Sequence, residues 1–93
     1  MNIKKTKILI FGVGAHGRSA CRALMRLPNV ELIGFIDNDQ TKKNKIFLNL
    51  NVYAPSELPM LKFDKVVVVG RNIEKIRTQL LNDLNILDKK IWV

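Results

Sequence analysis

The sequence predicts an α/β domain with a parallel sheet, because apolar strand patterns alternate with amphipathic helical patterns along the chain. Three runs, TKILIFG (6–12), VELIGFI (30–36) and DKVVVVG (64–70), are rich in apolar and β-branched residues, as strands covered on both faces are. Residues 15–27 lie between the first two runs and repeat their apolar side chains with a helical period. A strand, a helix and a second strand in that order form a parallel pair with a right-handed crossover.

The remaining segments give the whole predicted order of elements. It is strand, helix, strand, strand, a short helical turn, strand, helix and strand. Residues 40–45 are a polar loop, LNVYA (50–54) fits a short third strand, and 55–61 begin like a helical turn. A second helix begins after Asn72, and KKIWV (89–93) closes the chain as a fifth strand. The predicted sheet order is 3-2-1-4-5, with helices on both faces.

Length and cysteine content restrict the class of protein. A chain of 93 residues forms one small domain, which we assign to residues 1–93. Because Cys21 and His16 are the single cysteine and histidine, the chain cannot form an internal disulfide or a cysteine–histidine zinc site, and we predict no metal ligands. Free cysteine favours a reducing compartment, so the sequence predicts a cytoplasmic location. No run approaches the ~18 apolar residues of a transmembrane segment.

The chain is strongly basic, with 16 Lys and Arg against 8 Asp and Glu and a formal net charge of +8. Such a charge suits anionic partners, among them nucleotides, nucleotide sugars and nucleic acid. The scattered lysines are more simply explained as a solvated surface. Nucleic acid is the less favoured partner, because the sequence shows no reading helix and no aromatic platform.

The stretch IFGVGAHGRSA (10–20) places glycines at the spacing of a dinucleotide-binding loop. Gly12 permits a tight turn after the strand, Gly14 lets the chain approach a pyrophosphate, and Gly17 lets the helix pack closely on the sheet. The free N–H groups and the dipole of the helix then face the phosphate oxygens. Asp37 stands 20 residues after Gly17, where a carboxylate accepts hydrogen bonds from ribose hydroxyls. The alternative is a compact turn in a fold that has lost its ligand.

Five more residues are candidate nucleotide contacts because of their places in the predicted sheet. His16 lies beside the phosphate position, where it either contacts phosphate when protonated or caps the helix as a neutral side chain. Arg18 is close enough to the loop to reach an anion, and Asn38 lies in the acidic turn that ends the second strand. Gly70 and Arg71 end the fourth strand, whose loop lies beside the first loop on the ligand side.

The position of Asp37 favours NAD over NADP, because a carboxylate there hydrogen-bonds the ribose hydroxyls and repels a 2′-phosphate. The cations Lys42, Lys43 and Lys45 oppose this preference, but we expect them to be mobile and solvated. NADP or a nucleotide sugar remains the alternative ligand.

Six stretches together resemble a known family, and they cover nearly the whole chain from Lys7 to Val93. They are KILIFGVGAHGRSACRAL (7–24), VELIGFIDND (30–39), VYAPSELP (52–59), FDKVVVVG (63–70), IEKIRTQLL (73–81) and KKIWV (89–93). They look like the nucleotide-binding Rossmann domain of bacterial polysaccharide-biosynthesis proteins, the nucleoside-diphosphate-sugar epimerases and dehydratases. The resemblance implies a Rossmann-like sheet that is truncated relative to a full domain. The GAHGR motif (14–18) also resembles the N-terminal domain of sugar O-acetyltransferases, whose glycine loop binds a nucleotide sugar.

The catalytic chemistry of that family does not carry over to this chain. The family's enzymes use a tyrosine with a lysine four residues on, whereas the single tyrosine here, Tyr53, is followed at that spacing by Glu57. No nucleophile, carboxylate pair or metal cluster replaces it. We therefore expect an NAD-binding domain of an epimerase or dehydratase that has no catalytic residues of its own. The alternatives are a nucleotide-sugar-binding domain of a sugar O-acetyltransferase and a stand-alone regulatory module.

The apolar end of the chain predicts contacts with another surface. KKIWV (89–93) is expected at the edge of the sheet, and an uncovered edge strand pairs readily with another chain. We therefore expect either a homo-oligomer or a linked or separate catalytic domain that covers this edge.

Overall fold

The structure, a computed structural model, describes residues 4–93 and has a six-stranded sheet with helical segments on both faces. The strands are β1 (Thr6–Phe11), β2 (Val30–Ile36), β3 (Ile46–Phe47), β4 (Leu50–Tyr53), β5 (Lys65–Val68) and β6 (Ile91–Trp92). The helices are α1 (Ala15–Leu24) and α2 (Ile73–Thr78), and α2 continues as a π-type turn over Gln79–Asp83. Three 3₁₀ turns lie at Gln40–Lys42, Pro55–Met60 and Asp88–Lys90.

The strands lie in the order β3-β4-β2-β1-β5-β6. The five strands other than β3 are parallel and have the predicted order, so the predicted fold class is confirmed. The additional strand β3 pairs antiparallel with β4 at one edge, which the sequence pattern does not predict. The hairpin between them turns through Leu48 and Asn49, which both have positive φ (50° and 64°).

Two elements are shorter than their sequence patterns predict. Helix α1 ends at Leu24, three residues early, because the N–H of Leu27 donates to the carbonyl of Leu24 (3.0 Å) in a tighter turn. Pro28 disfavours helical backbone at the residue that precedes it. The final strand has two residues rather than five, because Asp88–Lys90 form a 3₁₀ turn that ends where β6 begins.

The sheet separates two apolar cores. Helix α2, its π-type turn and the Pro55–Met60 turn cover one face, where Leu58 and Leu80 are fully buried. Helix α1 covers the other face, where Cys21 is fully buried. The strand residues of the first core are Leu9, Phe11, Ile36, Val66, Val68 and Ile91, and those of the second are Ile8, Ile10, Phe35 and Val52. Burial on both faces explains why the sequences of the central strands are continuously apolar.

A β-bulge in β2 determines how the second strand reaches the carboxyl edge of the sheet. The register of β2 against β1 slips by one residue at Ile33. Gly34 follows the slip and has no room for a side chain, because a Cβ atom there would lie 2.8 Å from the ring of Tyr53. The close β2–β4 contact continues to Asp37, whose N–H donates to the carbonyl of Tyr53 (3.2 Å).

Candidate functional site

The glycine loop begins with a tight turn at the carboxyl end of β1. Gly12 has a φ of +114°, which side-chain-bearing residues rarely adopt. Its N–H donates to the carbonyl of Ile36 at the end of β2 (2.7 Å). A Cβ atom on Gly12 would lie 3.7 Å from the carbonyl of Val69, just after β5. The loop therefore lies between the carboxyl ends of β2 and β5, where the direction of strand order reverses. In open α/β sheets this crevice is where ligands bind.

Helix α1 packs backbone to backbone on this turn. A Cβ atom on Gly17 would lie 1.8 Å from the carbonyl oxygen of Gly12, a distance that no side chain can occupy. The N–H of Arg18 donates to the carbonyl of Gly14 (3.0 Å) and closes the first turn of the helix. The preceding N–H groups at the start of any α-helix lack intrahelical acceptors and carry its partial positive charge. The predicted role of Gly17 in close helix packing is therefore confirmed.

Gly14 differs from the other two glycines because the chain itself leaves room for a side chain there. It is exposed, has an ordinary φ of −70°, and a Cβ atom at this position would meet no atom within 4 Å. Ala15 and His16 beside it are also exposed. The space over the start of α1 is therefore open, and the predicted requirement for glycine at position 14 depends on a ligand.

Asp37 is joined to the glycine loop. Its Oδ2 atom accepts a hydrogen bond from the N–H of Val13 (3.0 Å), and its Oδ1 atom accepts one from the N–H of Asp39 (2.8 Å). A carboxylate has about four lone-pair positions, so two remain for ribose hydroxyls. Asp37 thus has a structural role that the sequence does not reveal, because Val13 lies 24 residues away along the chain.

Asn38 is engaged by a partner from the C-terminal half of the chain. Its Nδ2 atom donates to Oε1 of Gln79 (3.0 Å), and Nε2 of Gln79 donates back to Oδ1 of Asn38 (2.8 Å). Gln79 is the first residue of the π-type turn that follows α2. The amide of Asn38 therefore positions the loop after β2, and it keeps one N–H and one lone pair, so its predicted nucleotide contact stays a prediction.

The loop after β5 lies next to the glycine loop. Strands β1 and β5 are neighbours and pair Phe11 with Val68, so the segments that follow them emerge side by side. Gly70 has a φ of +100°, and Arg71 is exposed. The structure therefore brings Gly70 and Arg71 to the same edge as the glycine loop, as predicted from topology.

Two cations and an aromatic ring lie beside the glycine loop. The guanidinium carbon of Arg18 is 6.0 Å from the ring centroid of Phe47, and Nζ of Lys42 is 5.9 Å from the same centroid. Nε of Arg18 lies 3.5 Å from the carbonyl oxygen of Gly14. Phe47 belongs to β3, so the unpredicted hairpin supplies this part of the site.

The loop after β2 is ordered by Asp39, which caps the Gln40–Lys42 turn. Its Oδ1 atom accepts hydrogen bonds from the hydroxyl (2.7 Å) and the N–H (3.0 Å) of Thr41. These bonds, with the nearby charges of Lys42 and Lys45, lower the pKa of the Asp39 carboxyl. Asp39 is therefore a fixed anion that holds the turn carrying Lys42.

The opposite edge of the sheet has a cavity of about 680 Å³. Its lining includes Lys4, Lys5, Lys62 and Lys90, which precede strands rather than follow them, and Lys7, which lies at the start of β1. Across the described residues, no three His, Cys, Asp or Glu side chains are grouped as a metal site would require. Within residues 4–93, no helix has the length and apolar character needed to cross a bilayer.

Comparison with known proteins places this geometry in a family. Residues 4–92 match the profile of the family described as "C2185-like, N-terminal". A curated relative, glutamyl-tRNA reductase of Flavobacterium psychrophilum, is 33% identical over 98 aligned positions, which cover 97% of this chain and 24% of the relative. The chain thus spans about a quarter of the length of that relative.

Solved structures share the fold at low sequence identity. UDP-D-quinovosamine 4-dehydrogenase from Vibrio fischeri superimposes with a TM-score of 0.73 at 21% identity, over 94% of this chain and 74% of that one. RSP, a Rex-family repressor, superimposes with a TM-score of 0.71 at 15% identity, over 84% of this chain and 41% of that one. These likenesses establish a Rossmann-like fold.

Proposed function

The chain belongs to the C2185-like, N-terminal family, and from its Rossmann-like fold we propose that residues 1–93 form a single domain that binds a dinucleotide of the NAD type. The observation that carries the proposal is the contact of Gly17 with Gly12, which leaves no room for a Cβ atom, next to Gly14, where a Cβ atom would meet nothing. The contact between Gly17 and Gly12 directs the start of α1 towards the crevice. The open space at Gly14 leaves that start accessible to a ligand.

The proposed binding mode uses this chain's own groups. The N–H groups at the start of α1 bind phosphate oxygens, and Gly14 admits the phosphates close to the backbone. Arg18 and Arg71 supply positive charge from the two sides of the crevice, with His16 beside the helix start. The remaining lone pairs of Asp37 accept hydrogen bonds from ribose hydroxyls, which favours NAD over NADP.

We further propose that the domain serves an enzyme that acts on nucleoside-diphosphate sugars and is not catalytic by itself. The resemblance of the glycine loop to polysaccharide-biosynthesis proteins supports this assignment, as does the fold shared with a UDP-sugar dehydrogenase. Glu57 lies four residues after Tyr53, the spacing at which those enzymes have a lysine, and its Oε2 atom accepts a hydrogen bond from the N–H of Ala54 (2.7 Å). Glu57 thus caps the turn after β4, and a linked or separate catalytic domain must supply the chemistry.

Calorimetric titration of the parent chain and Gly14→Ala tests the binding proposal. Titrants are NAD⁺, NADP⁺ and a uridine-diphosphate sugar. We expect NAD⁺ to bind the parent and to bind Gly14→Ala at least ~10-fold more weakly, because the added methyl group occupies the phosphate approach. Thermal unfolding without ligand is the control, since Gly14→Ala has space in the free protein. Equal NAD⁺ affinity for both proteins, or no binding of NAD⁺ at millimolar concentration, contradicts the proposal. Binding of the uridine-diphosphate sugar alone supports the acetyltransferase-type alternative.

A further inference from the structure

Arg18, Lys42 and Phe47 form a cluster beside the glycine loop. The cluster depends on the β3 hairpin, which supplies Phe47 and is an addition to the parallel sheet. We infer that Arg18 and Lys42, gathered by the ring of Phe47, form a second phosphate-binding position beside the glycine loop. This inference rests on the proposed function, because it assigns a further contact to the ligand of the same crevice.

The distances join the cluster to the loop. Arg18 lies between the loop and the ring, since its Nε atom is 3.5 Å from the carbonyl oxygen of Gly14 and its guanidinium carbon is 6.0 Å from the Phe47 centroid. Lys42 reaches the same ring from the turn after β2, at 5.9 Å. Two cations at about 6 Å from one ring are each attracted by its negative face. Phe47 therefore gathers two cations, one from α1 and one from the turn after β2, around a single side chain.

Lys42 differs from its neighbours in the same loop. Lys42 is half-buried, whereas Lys43 and Lys45 are exposed. The 3₁₀ turn that ends at Lys42 is capped by Asp39, which fixes the backbone that carries this side chain. Lys42 is therefore less solvated than the sequence-based expectation for the three lysines.

The chemistry of the cluster suits a phosphate group. The start of a helix carries about half a positive charge, which is less than the two negative charges of a pyrophosphate. Two further cations at the side of the helix supply the remainder. Asp39 lies near Lys42 and offsets part of its charge, so the two cations together suit one phosphate group. The group is either the second phosphate of the diphosphate or a 2′-phosphate.

Phe47 acts as a positioning residue, because it holds the cations and need not touch the ligand. Its replacement by leucine keeps an apolar side chain in the hairpin and removes the aromatic face. If the ring positions the cations, Phe47→Leu weakens binding and also flattens the salt dependence of binding. A purely structural role would lower the unfolding temperature and leave the salt dependence unchanged.

The test is calorimetric titration of the full chain with NAD⁺ and NADP⁺ at several salt concentrations. Lys42→Ala is compared with Lys43→Ala from the same loop and with Lys62→Ala from the opposite edge of the sheet, which remove the same charge. We expect Lys42→Ala to weaken binding about 5- to 10-fold and to lower the salt slope by about one, by analogy with the loss of one phosphate contact. The two control variants should change affinity less than twofold.

The outcomes distinguish the source of the phosphate. Equal weakening for both dinucleotides supports a contact to the shared diphosphate, and weakening for NADP⁺ alone supports a contact to the 2′-phosphate. If the parent binds NAD⁺ and Lys42→Ala binds both dinucleotides as the parent does, the inference is overturned. If the parent binds neither, the proposed function fails, and inorganic pyrophosphate is then titrated. Weaker pyrophosphate binding to Lys42→Ala supports the phosphate position, and no binding to the parent overturns it.

Discussion

The carbonyl oxygen of Gly12 lies 1.8 Å from the position that a Cβ atom on Gly17 would occupy. The loop and the helix therefore meet through their backbones, and the contact fixes where the first turn of α1 points. Gly14, between them in sequence, lies against open space. Glycine is thus required at each position for a different reason: a positive φ at Gly12, a backbone contact at Gly17, and room for a ligand at Gly14.

Alanine substitutions at Gly17 and Gly14 should have different effects on the stability of the protein without ligand. Gly17→Ala should lower the free energy of unfolding by at least about 2 kcal/mol, because α1 must move away from the loop to admit the methyl group. Gly14→Ala should change it by less than about 1 kcal/mol, since its φ is ordinary and the site is open. Chemical denaturation of both variants provides the measurement. Equal destabilisation of the two would refute the backbone contact.

Asp37 should make the parent chain prefer NAD to NADP by at least ~10-fold. The carboxylate lies at a strand end and is held by the N–H groups of Val13 and Asp39, so it cannot withdraw from a 2′-phosphate at low cost. Asp37→Asn should narrow the preference, because the amide keeps one acceptor and removes the charge. Competition titrations of both proteins provide the measurement. Tighter binding of NADP by the parent would show that the cations prevail over Asp37.

The Cys21 thiol should be unreactive in the folded protein. It should also make the free energy of unfolding fall as the pH rises into the alkaline range. The side chain is fully buried, and burial raises the pKa of its thiol, partly offset by the charge of Arg22. Above the ordinary thiol pKa of about 8.5, the unfolded chain ionises while the folded chain stays protonated, so the free energy of unfolding falls as pH rises towards the folded pKa. Cys21→Ala should show a smaller fall between pH 8 and 10. Rapid labelling of the native thiol by a disulfide reagent would contradict its burial.

Self-association remains a prediction that depends on the β6 edge. Trp92 and Val93 are 44% and 72% exposed beside this edge. Light scattering at high micromolar concentration should show a species larger than the monomer, and Trp92→Lys should reduce it, because charge on an edge strand opposes pairing. A monomer at all concentrations for the parent chain would remove this expectation.

The sequence predicts the parallel core well, because its signals are local. The runs 6–12, 30–36 and 64–70 contribute apolar side chains to the cores on both faces of the sheet, and packing of that kind leaves a largely apolar pattern in the sequence. Strand β3 has two residues, too few to show any period, and it depends on pairing with β4. The hairpin was therefore beyond a pattern-based prediction.

The part of the site formed by one short sequence motif can be predicted from the sequence. The part formed by contacts between residues far apart in the sequence cannot. The places of Gly12 and Gly17 follow from the strand–turn–helix order. The pairing of Asn38 with Gln79 joins residues 41 apart, and Phe47 reaches Arg18 through the unpredicted hairpin. Neither contact leaves a periodic signal, because side chains on separate elements meet only after the sheet has formed.

The most direct test of the glycine-loop site is the amide spectrum of the ¹⁵N-labelled chain during titration with NAD⁺. We predict that the largest chemical-shift changes occur at the N–H groups of residues 12–18, with smaller changes at Asp37 and Arg71. The amides of Lys7, Lys62 and Lys90, at the opposite edge of the sheet, should remain unchanged. Largest changes at that edge, or no change at saturating NAD⁺, would contradict the assignment of the glycine loop as the nucleotide site.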